Sequence, residues 1–265
     1  MSSIFVKDGK GPKLGCTLGF GTTLSAQLVA RAGYDYVLID MEHNPVSPRE
    51  AGNLTRAVAA ASGGQCQGLI RVPSHGVEWI KWALDCGASG VVIPMVQSAD
   101  ETEAIIQRAV YPPRGQRSFG PALAPFASID PSDSVQKYLQ RASDIAIIPM
   151  IESLNAMNEL DAICSVAGIT TVFIGPVDLR MSMGLRGPDG GEDSYLQALT
   201  QAVRTCKHRN IAIGIFAVDA RACSKRAADG FDFVLLPGEA TLLASAARAQ
   251  LEDCTKAIRP LNPEL

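Results

Sequence analysis

The chain has 265 residues, of which 47% are hydrophobic and 19% charged, and its formal net charge is −3. This apolar fraction excludes a disordered chain, and 24 basic against 27 acidic residues leave no basic surface for nucleic acid. No apolar run reaches the roughly 18 residues of a membrane helix, and the first residues lack the apolar centre of a secretory signal. We therefore expect a cytoplasmic α/β protein that binds neither nucleic acid nor membranes.

Short apolar runs alternate with longer amphipathic segments along the whole chain. We predict strands at 14–18, 36–39, 68–72, 90–94, 145–151, 171–174, 211–216 and 231–236. Between them the spacing predicts helices, among others at 48–61, 77–86, 99–109, 155–166, 194–209 and 240–251. Strands that are apolar throughout are typical of a parallel sheet covered on both faces, and about 33 residues per strand is the size of a strand–helix repeat.

Several predicted strands are preceded by a glycine that ends a helix, at Gly33, Gly87, Gly168 and Gly230. Glycine there supplies the left-handed backbone that a sharp helix-to-strand turn needs. The first strand is followed by neither a Gly-x-Gly-x-x-Gly motif nor a Walker loop, which argues against a doubly wound nucleotide-binding sheet. We predict one (β/α)8 TIM barrel over 1–265, with a Pro-, Gly-, Ser- and Arg-rich loop at 111–133 that overhangs the active site.

The seven cysteines lie about one to each predicted element and include no Cys-x-x-Cys pair. An odd count without that spacing argues against both a disulfide framework and a zinc ribbon. We expect free thiols that are buried as small apolar side chains, in a reducing compartment.

Two carboxylates follow neighbouring predicted strands, at the end where barrel enzymes place their chemistry. Glu152 comes after strand five and Asp178 after strand six. Together they can hold one hard divalent cation such as Mg²⁺, with water and substrate completing its coordination. The alternative is structural, with Glu152 capping the next helix and Asp178 making a loop turn.

Histidine and arginine also stand at strand ends. His43 follows strand two, and Asp40, three residues before it, can fix its tautomer and raise its basicity. Arg71 closes strand three and either pairs with a carboxylate or grips a substrate carboxylate. Two other histidines favour structural roles, because His75 lies in a turn before a helix and His208 ends a helix.

The lysines are informative by their positions, which are Lys7, Lys10, Lys13, Lys81, Lys137, Lys207, Lys225 and Lys256. All lie in the amino-terminal tail, in predicted helices or before strands. None stands at the carboxyl end of a strand, where Schiff-base chemistry would need its nucleophile. If this barrel activates a ketone substrate, the remaining common way to do so is through a bound metal ion.

Four segments closely resemble the HpcH/HpaI aldolase family: LIDMEHNP (38–45), VIPMVQSADE (92–101), YPPRGQRSFG (111–120) and VFIGPVDL (172–179). The likeness extends from about residue 13 to about residue 250 in the same order. It implies a barrel of the phosphoenolpyruvate/pyruvate type and a divalent metal, Mg²⁺ or else Mn²⁺ or Co²⁺. It further implies 2-oxo acid and aldehyde substrates, and a homo-hexamer in which the C-terminal helix packs on a neighbouring subunit.

The resemblance also implies roles for individual residues. Glu152 and Asp178 match the metal ligands of the family, and His43 matches its acid–base histidine. Asp40 matches the partner that orients this histidine, and Arg71 matches the arginine that stabilises the enolate oxygen.

Two further matches come from the resemblance alone. Asp85 corresponds to an aspartate that raises the basicity of the histidine, contributed by a neighbouring subunit. Val177 corresponds to a position whose backbone N–H holds the pyruvate carboxylate. Met150 is a departure, because many family members carry Gln there, and it favours oxaloacetate decarboxylation or a macrophomate-synthase-like activity.

The leading hypothesis is a metal-dependent carbon–carbon lyase, with decarboxylation of oxaloacetate as the alternative. A non-catalytic barrel that binds a partner is an alternative of another class. A phosphate-handling isomerase is disfavoured because Asp219 and Glu239 stand where a phosphate cradle would lie. The choice of aldehyde is assigned to the 111–133 loop and the residues after strand seven. Arg114 and Arg117 in that loop either solvate it or meet an acidic aldehyde.

Overall fold

A closed barrel of eight parallel strands forms the protein, as the sequence predicts. The computed structural model describes residues 5, 11–130 and 132–258. Each strand pairs with the next in the chain, and β8 pairs with β1 to close the ring. The strands are β1 Lys13–Leu18, β2 Tyr36–Asp40, β3 Gln67–Arg71, β4 Gly90–Ile93, β5 Ala146–Ile151, β6 Thr171–Ile174, β7 Ala212–Phe216 and β8 Phe233–Leu236.

Helices surround the barrel and include all those that the sequence predicts. They are α1 Thr23–Arg31, α2 Pro48–Ala61, α3 Val77–Asp85, α4 Ala99–Ala109, α5 Val135–Arg141, α6 Leu154–Asn158, α7 Leu160–Ser165, α8 Pro176–Ser182, α9 Asp193–His208, α10 Ala220–Asp229 and α11 Glu239–Ile258. The segment predicted as one helix at 155–166 is divided at Glu159 into α6 and α7. Among the described residues, no helix has both the length and the apolar character of a membrane span.

The glycines predicted to end helices do so in the left-handed conformation. Gly33, Gly87, Gly168 and Gly230 have φ angles of +98°, +88°, +106° and +98°. Side chains with a Cβ rarely adopt this conformation, so the turns into β2, β4, β6 and β8 are sharp because glycine stands there. A different signal begins α2, where Ser47 and Glu50 form a capping box at the amino-terminal end of the helix.

The barrel interior is filled by aromatic rings, and two glycines make room for them. A Cβ on Gly214 would lie 2.0 Å from a ring carbon of Phe233, and a Cβ on Gly15 would lie 2.2 Å from the ring of Tyr36. Phe173 packs beside Phe233 with ring centroids 5.9 Å apart. The lower part of the barrel is therefore a packed apolar core and not a pore.

The same interior becomes polar at its upper edge. Side chains alternate along a strand, so residues two positions apart point to the same side. Asp40, Arg71 and Glu152 each stand two positions after a buried apolar residue of the interior cluster. Strand geometry thus places these charged groups directly above the apolar core, at the carboxyl ends of the strands.

The 111–133 loop lies at the opposite end of the barrel from the one predicted. It follows α4 and precedes β5, so it belongs to the amino-terminal end of the strands. Leu123 approaches Gly52 of α2, and Ala127 approaches Gly87 at the end of α3. The expectation that the loop overhangs the active site of its own barrel is wrong, because loops that follow helices cannot reach the carboxyl ends of the strands.

Candidate active site

An ion pair between the ends of β2 and β3 forms the centre of the site. Arg71 Nε donates to Asp40 Oδ1 at 2.8 Å, and Arg71 Nη1 lies 3.2 Å from Glu42 Oε2. Asp40 stands opposite Arg71 in the pairing of β2 with β3, so strand register brings the two side chains together. The guanidinium pairs with two carboxylates and stays 15% exposed at the mouth of the barrel.

Asp40 is buried and organises the turn after β2. Its Oδ1 accepts the backbone N–H groups of Glu42 and His43 at 3.1 and 3.4 Å, and its Oδ2 accepts Asn44 Nδ2 at 2.6 Å. Burial raises the pKa of Asp40, but the Arg71 guanidinium and the two N–H groups outweigh it and hold the pKa below its ordinary value. Asp40 is therefore a fixed, ionised anchor.

The His43 ring is exposed and lies beside a carboxylate other than the one predicted. Its Nε2 is 3.6 Å from Glu42 Oε2, whereas Asp40 accepts the backbone N–H of His43. The net effect on Glu42 is a raised pKa, mainly because the carboxylate is buried. The positive charges of Arg71 and His43 lower this pKa. The negative charges of Asp40 and Asp178 raise it further. Glu42 has no predicted role in the sequence, although its place between Asp40 and His43 in the DMEH segment is a usable signal.

Glu152 is a buried carboxylate at the end of β5, only 4% exposed. Its Oε1 accepts the backbone N–H of Met95, a residue in the left-handed conformation with a φ of +52°. A Cβ on Gly175 would lie 2.3 Å from Glu152 Oε2, so glycine lets the β6–α8 turn approach the carboxylate. Glu152 does not cap the next helix, because the Ser153 hydroxyl does so by accepting the N–H of Ala156.

Burial raises the pKa of Glu152 to about 7. The Met95 N–H and Arg71 oppose this rise, and the negative charges of Asp178 and Glu42 add to it. Removing a carboxylate from water and placing it near other carboxylates both disfavour its ionised form. The site therefore holds more negative charge than its own side chains neutralise.

Asp178 and Val177 lie in the first turn of α8, after Gly175 as N-cap. Both side chains are exposed, Val177 by 40%. Asp178 therefore belongs to a helix and not to a loop turn. Backbone N–H groups in the first turn of a helix have no partner within that helix, so the Val177 N–H is free of intrahelical bonding.

The structure does not bring Asp85 to this site within one chain. Asp85 ends α3, at the amino-terminal side of the barrel, and its contribution to a neighbouring subunit stays a prediction. Arg117 Nη2 donates to Asp85 Oδ1 at 2.6 Å and to the Tyr138 hydroxyl at 2.7 Å. Arg117 is only 2% exposed, so the expectation that it solvates the loop is wrong, whereas Arg114 is exposed. Contact of either arginine with an acidic aldehyde stays a prediction.

Other residues singled out in the sequence have structural contacts. Asp219 caps α10 by accepting the N–H of Ala222 at 2.7 Å. His75 Nε2 lies 2.6 Å from the carbonyl oxygen of Pro94, in the turn before α3, and His208 ends α9. The hydrogen bond of His75 and the position of His208 at a helix end agree with the structural roles predicted for them.

Neither a lysine nor a closed metal cage is present in the described part of the site. Lys13 opens β1, and the other described lysines lie in α3, α5, α9, α10 and α11; Lys7 and Lys10 lie outside the described residues. Among residues 5, 11–130 and 132–258, no group of three or more His, Cys, Asp or Glu side chains is arranged to hold a metal. A cation here would need ligands beyond the protein.

Comparison with known proteins places the chain in one family. The family model described as HpcH/HpaI aldolase/citrate lyase matches residues 18–246. The chain belongs to the HpcH/HpaI aldolase family. As a member, it is a carbon–carbon lyase that acts on small molecules, which sets aside the hypothesis of a non-catalytic barrel.

Named HpcH/HpaI relatives are similar over almost the whole chain. A hydroxypyruvate/pyruvate aldolase of Deinococcus radiodurans is 36% identical, covering 91% of this chain and 84% of its own. A 4-hydroxy-2-oxo-heptane-1,7-dioate aldolase of Escherichia coli is 34% identical, covering 90% and 88%. The crystal structure of an HpcH/HpaI family protein from Burkholderia cenocepacia superposes with a TM-score of 0.86 at 28% identity, covering 96% and 100%.

Replacing Glu152 tests the electrostatic description. Native Glu152 retains its proton up to a pH of about 7, against an ordinary value of 4.5, so its contribution to the stability of the metal-free protein falls as pH rises through this window. We expect Glu152→Gln, in EDTA, to melt higher than wild type at pH 8 and to match it near pH 4.5. Each kcal/mol by which the substitution increases the free energy of unfolding raises Tm by about 2–4 °C in a domain of this size. A difference in Tm between variant and wild type that stays the same at every pH would contradict the raised pKa of Glu152.

Proposed function

We propose that this HpcH/HpaI protein is a metal-dependent aldolase that cleaves or forms a 4-hydroxy-2-oxo acid, with the enolate of pyruvate as common intermediate. The observation that carries the proposal is the excess of carboxylates around Arg71 at the barrel mouth. Glu152 is buried, and Asp178 and Glu42 add negative charge next to it. Such a site attracts a divalent cation and a substrate that shares it.

The residues present fit a hard divalent cation, with Mg²⁺ as our first choice and Mn²⁺ or Co²⁺ as alternatives. Glu152 and Asp178 would hold it, since carboxylate oxygens are the ligands such ions prefer. Gly175 keeps free the space beside Glu152 Oε2 that a Cβ would fill. When bound, the ion supplies Lewis-acid stabilisation of negative charge on the 2-oxo oxygen.

Arg71 is positioned to stabilise the same developing charge. Asp40 and Glu42 hold the guanidinium in place before substrate arrives, so little reorganisation accompanies the reaction. The free N–H of Val177 in α8 would bind the carboxylate of the 2-oxo acid. These contacts fix one end of the substrate and leave its C4 hydroxyl facing the mouth.

His43 would move the proton. In cleavage His43 accepts the proton of the C4 hydroxyl, and the C3–C4 bond breaks. The electron pair of that bond forms the enolate of pyruvate, and C4 becomes the carbonyl carbon of the aldehyde. A proton added at C3 then gives pyruvate, and condensation runs through the same steps in reverse. Glu42, 3.6 Å from Nε2, stabilises the protonated ring.

We extend the proposal to a homo-oligomer, a hexamer by family resemblance, in which α11 packs on a neighbouring subunit. All residues of α11 after Glu239 are exposed in the single chain, including Leu242, Leu243 and Leu251. A helix of 20 residues without a packed face gains little stability in isolation, which supports a partner for it. In this assembly Asp85 would reach the His43 of a neighbour.

A cytoplasmic location is part of the proposal. All seven cysteines are free thiols, and Cys164 and Cys206 share a hydrogen bond, with their sulfur atoms 4.0 Å apart, in place of a disulfide. Reduced thiols in such proximity are typical of a reducing compartment.

Oxaloacetate decarboxylation is the second candidate activity, favoured by Met150. This side chain is buried directly below Glu152 in the barrel interior and offers no polar group to substrate. Decarboxylation produces the same enolate but needs no base at a hydroxyl. Both activities therefore share the metal and Arg71 and differ in their need for His43.

Chelation tests the role of metal. We expect EDTA to abolish pyruvate release from 4-hydroxy-2-oxo acids and added Mg²⁺ or Mn²⁺ to restore it, because Glu152 and Asp178 alone provide no positive charge. Pyruvate release is measured with a coupled dehydrogenase added after quenching. Turnover that survives chelation, together with a lysine trapped by borohydride, would overturn the mechanism.

His43→Ala separates the two activities. We expect cleavage of the 4-hydroxy-2-oxo acid to fall about 10²–10⁴-fold, the usual contribution of a general base, while oxaloacetate decarboxylation largely survives. Both rates are measured on the same metal-loaded preparation, with His208→Ala as the matched control. Equal loss of both activities would count against His43 as the hydroxyl base.

Subunit mixing tests the shared site. We expect His43→Ala and Asp85→Asn to be impaired separately and to regain part of the cleavage activity when co-expressed, because mixed assemblies contain sites with both native residues. Melting curves of each variant check that loss of the Arg117 partner has not unfolded the protein. Absence of any recovery in assemblies shown to be mixed would exclude a shared role for Asp85.

A further inference from the structure

The short helix α8 carries Asp178, one of the two proposed metal ligands. It has seven residues, and Pro176, Leu179 and Arg180 are its buried ones. A helix of this length is not stable on its own, so its position depends on what its buried side chains contact. The Asp178 side chain is exposed, and its direction therefore follows the position of the helix.

Arg180 binds α8 to the segment at 186–192 that follows it. Its side chain is buried, and its Nη1 and Nη2 donate to Glu192 Oε2 and Oε1 at 2.6 and 2.9 Å. Its Nε donates to the carbonyl oxygen of Gly187 at 2.9 Å, and Nη2 also donates to that of Arg186 at 2.6 Å. One planar guanidinium thus fixes α8 against three residues of this segment.

Glycine makes room for the pair of Arg180 with Glu192. A Cβ on Gly190 would collide with both Arg180 Nη1 and Glu192 Oε2. Two parallel hydrogen bonds between a guanidinium and a carboxylate are strong and fix the geometry of both groups. Arg180 also lowers the pKa of Glu192 to about 2, so this carboxylate stays ionised at neutral pH.

A second buried arginine binds the same segment to another helix. Arg226 in α10 pairs with Asp189 of the segment, and its Nη1 donates to Asp229 Oδ2 at 2.8 Å. The Cζ atoms of Arg180 and Arg226 lie 4.9 and 5.8 Å from the ring centroid of Tyr195, which is fully buried in α9. Arg226 therefore fixes the segment to the barrel, and Arg180 fixes α8 to the segment.

Filling space does not account for a guanidinium at this position. Taking its charge out of water costs free energy, and apolar side chains of similar volume often give equal or greater stability. An apolar side chain cannot set the angle between α8 and the segment, whereas the rigid fork of an arginine can. The contacts of Arg180 thus favour a role in orienting the helix.

We propose that Arg180 is a positioning residue, which orients α8 so that the Asp178 carboxylate faces the same cation as Glu152. The inference rests on the proposed metal-dependent function and adds a residue that acts through Asp178. Gly175, the N-cap of α8, stands against Glu152, so a rotation of α8 about this point would move Asp178 relative to Glu152. The charge of Asp178 already contributes to the raised pKa of Glu152, so the two carboxylates lie within electrostatic reach of each other.

Mn²⁺ binding to the metal-free full chain tests this role. Protein stripped with EDTA and dialysed is titrated with Mn²⁺ at pH 8, above the pKa of about 7 of Glu152, and free Mn²⁺ is measured by EPR. We expect Arg180→Met to raise the Kd about 10-fold, the lower end of the usual cost of losing a group that orients a metal ligand. A Kd equal to that of wild type in the folded variant would overturn the inference.

Arg226→Met is the matched control. Arg226 is as buried as Arg180, faces the same Tyr195 ring and pairs with the same segment, but its helix α10 carries none of the proposed site residues. We expect Arg226→Met to alter Tm and to leave the Kd for Mn²⁺ unchanged. Equal weakening of Mn²⁺ binding by both variants would show a general effect of losing a buried arginine and would overturn the inference.

Glu192→Gln covers the case in which Arg180→Met does not fold. Glu192 is exposed, and glutamine keeps one oxygen for the guanidinium while it loses the charge and the second acceptor. We expect a smaller rise in Kd than in Arg180→Met, and none in the control Asp193→Asn, at the next residue, which is also exposed. An unchanged Kd in Glu192→Gln would contradict the positioning role.

The double variant of Arg180→Met and Glu192→Gln tests whether both act through one pair. We expect its Kd to equal that of Arg180→Met alone, because each change removes the same interaction and effects within one pair do not add. Losses of Mn²⁺ affinity that add in full would mean that the two residues act independently, which is inconsistent with the inference.

Asp178→Asn distinguishes failure of this inference from failure of the proposed function. If it weakens Mn²⁺ binding while Arg180→Met and Glu192→Gln do not, Asp178 holds the metal and the positioning role alone is wrong. If Asp178→Asn binds Mn²⁺ as tightly as wild type does, both the proposed metal site and the inference that rests on it are wrong.

Discussion

Arg71 is the guanidinium around which the carboxylates of the barrel mouth are arranged. It contacts Asp40 and Glu42 directly, and its charge also opposes the rise in the pKa of Glu152. One guanidinium cannot neutralise three carboxylates and Asp178 as well, so the site carries an excess of negative charge. Burial is the main cause of the raised pKa of Glu152, and the excess of negative charge adds to it. The same excess explains why a divalent cation suits the site.

The alternation of side chains along the strands produces this arrangement without a special structure. Apolar residues face the barrel axis lower down, and charged residues occupy the next inward position at the carboxyl ends. The rings of Tyr36 and Phe233 fill the barrel below and keep water out from that side. The burial that shifts the pKa of Glu152 is therefore a consequence of how the core is packed, and Gly175 and Met95 complete it from above.

Patterns along the chain were sufficient to predict the eight strands, their order and the glycine turns, because these depend on local spacing. Arg71 and Glu152 were predictable for the same reason, since each directly follows or ends an apolar run. Contacts between segments that are far apart in the chain could not be predicted in this way. Arg117 and Asp85 are 32 residues apart, and nothing in the spacing indicates that the arginine is buried on the aspartate at the lower end of the barrel. Glu239 is similar, because its partners in the β1–α1 loop come from the other end of the chain.

Glu239 is also the first residue of α11, and this has a mechanical consequence. The helix rises about 30 Å over its 20 residues, and only its first residue is buried against its own barrel. Its own chain therefore holds the helix at one end only, through Glu239 and the β1–α1 loop, and the rest of the helix is available to the neighbouring subunit proposed for it. A small tilt imposed at the far end would rotate the carboxylate and shift the β1–α1 loop bonded to it. The position of α11 on the neighbouring subunit would then also determine the position of the β1–α1 loop at the mouth of the barrel.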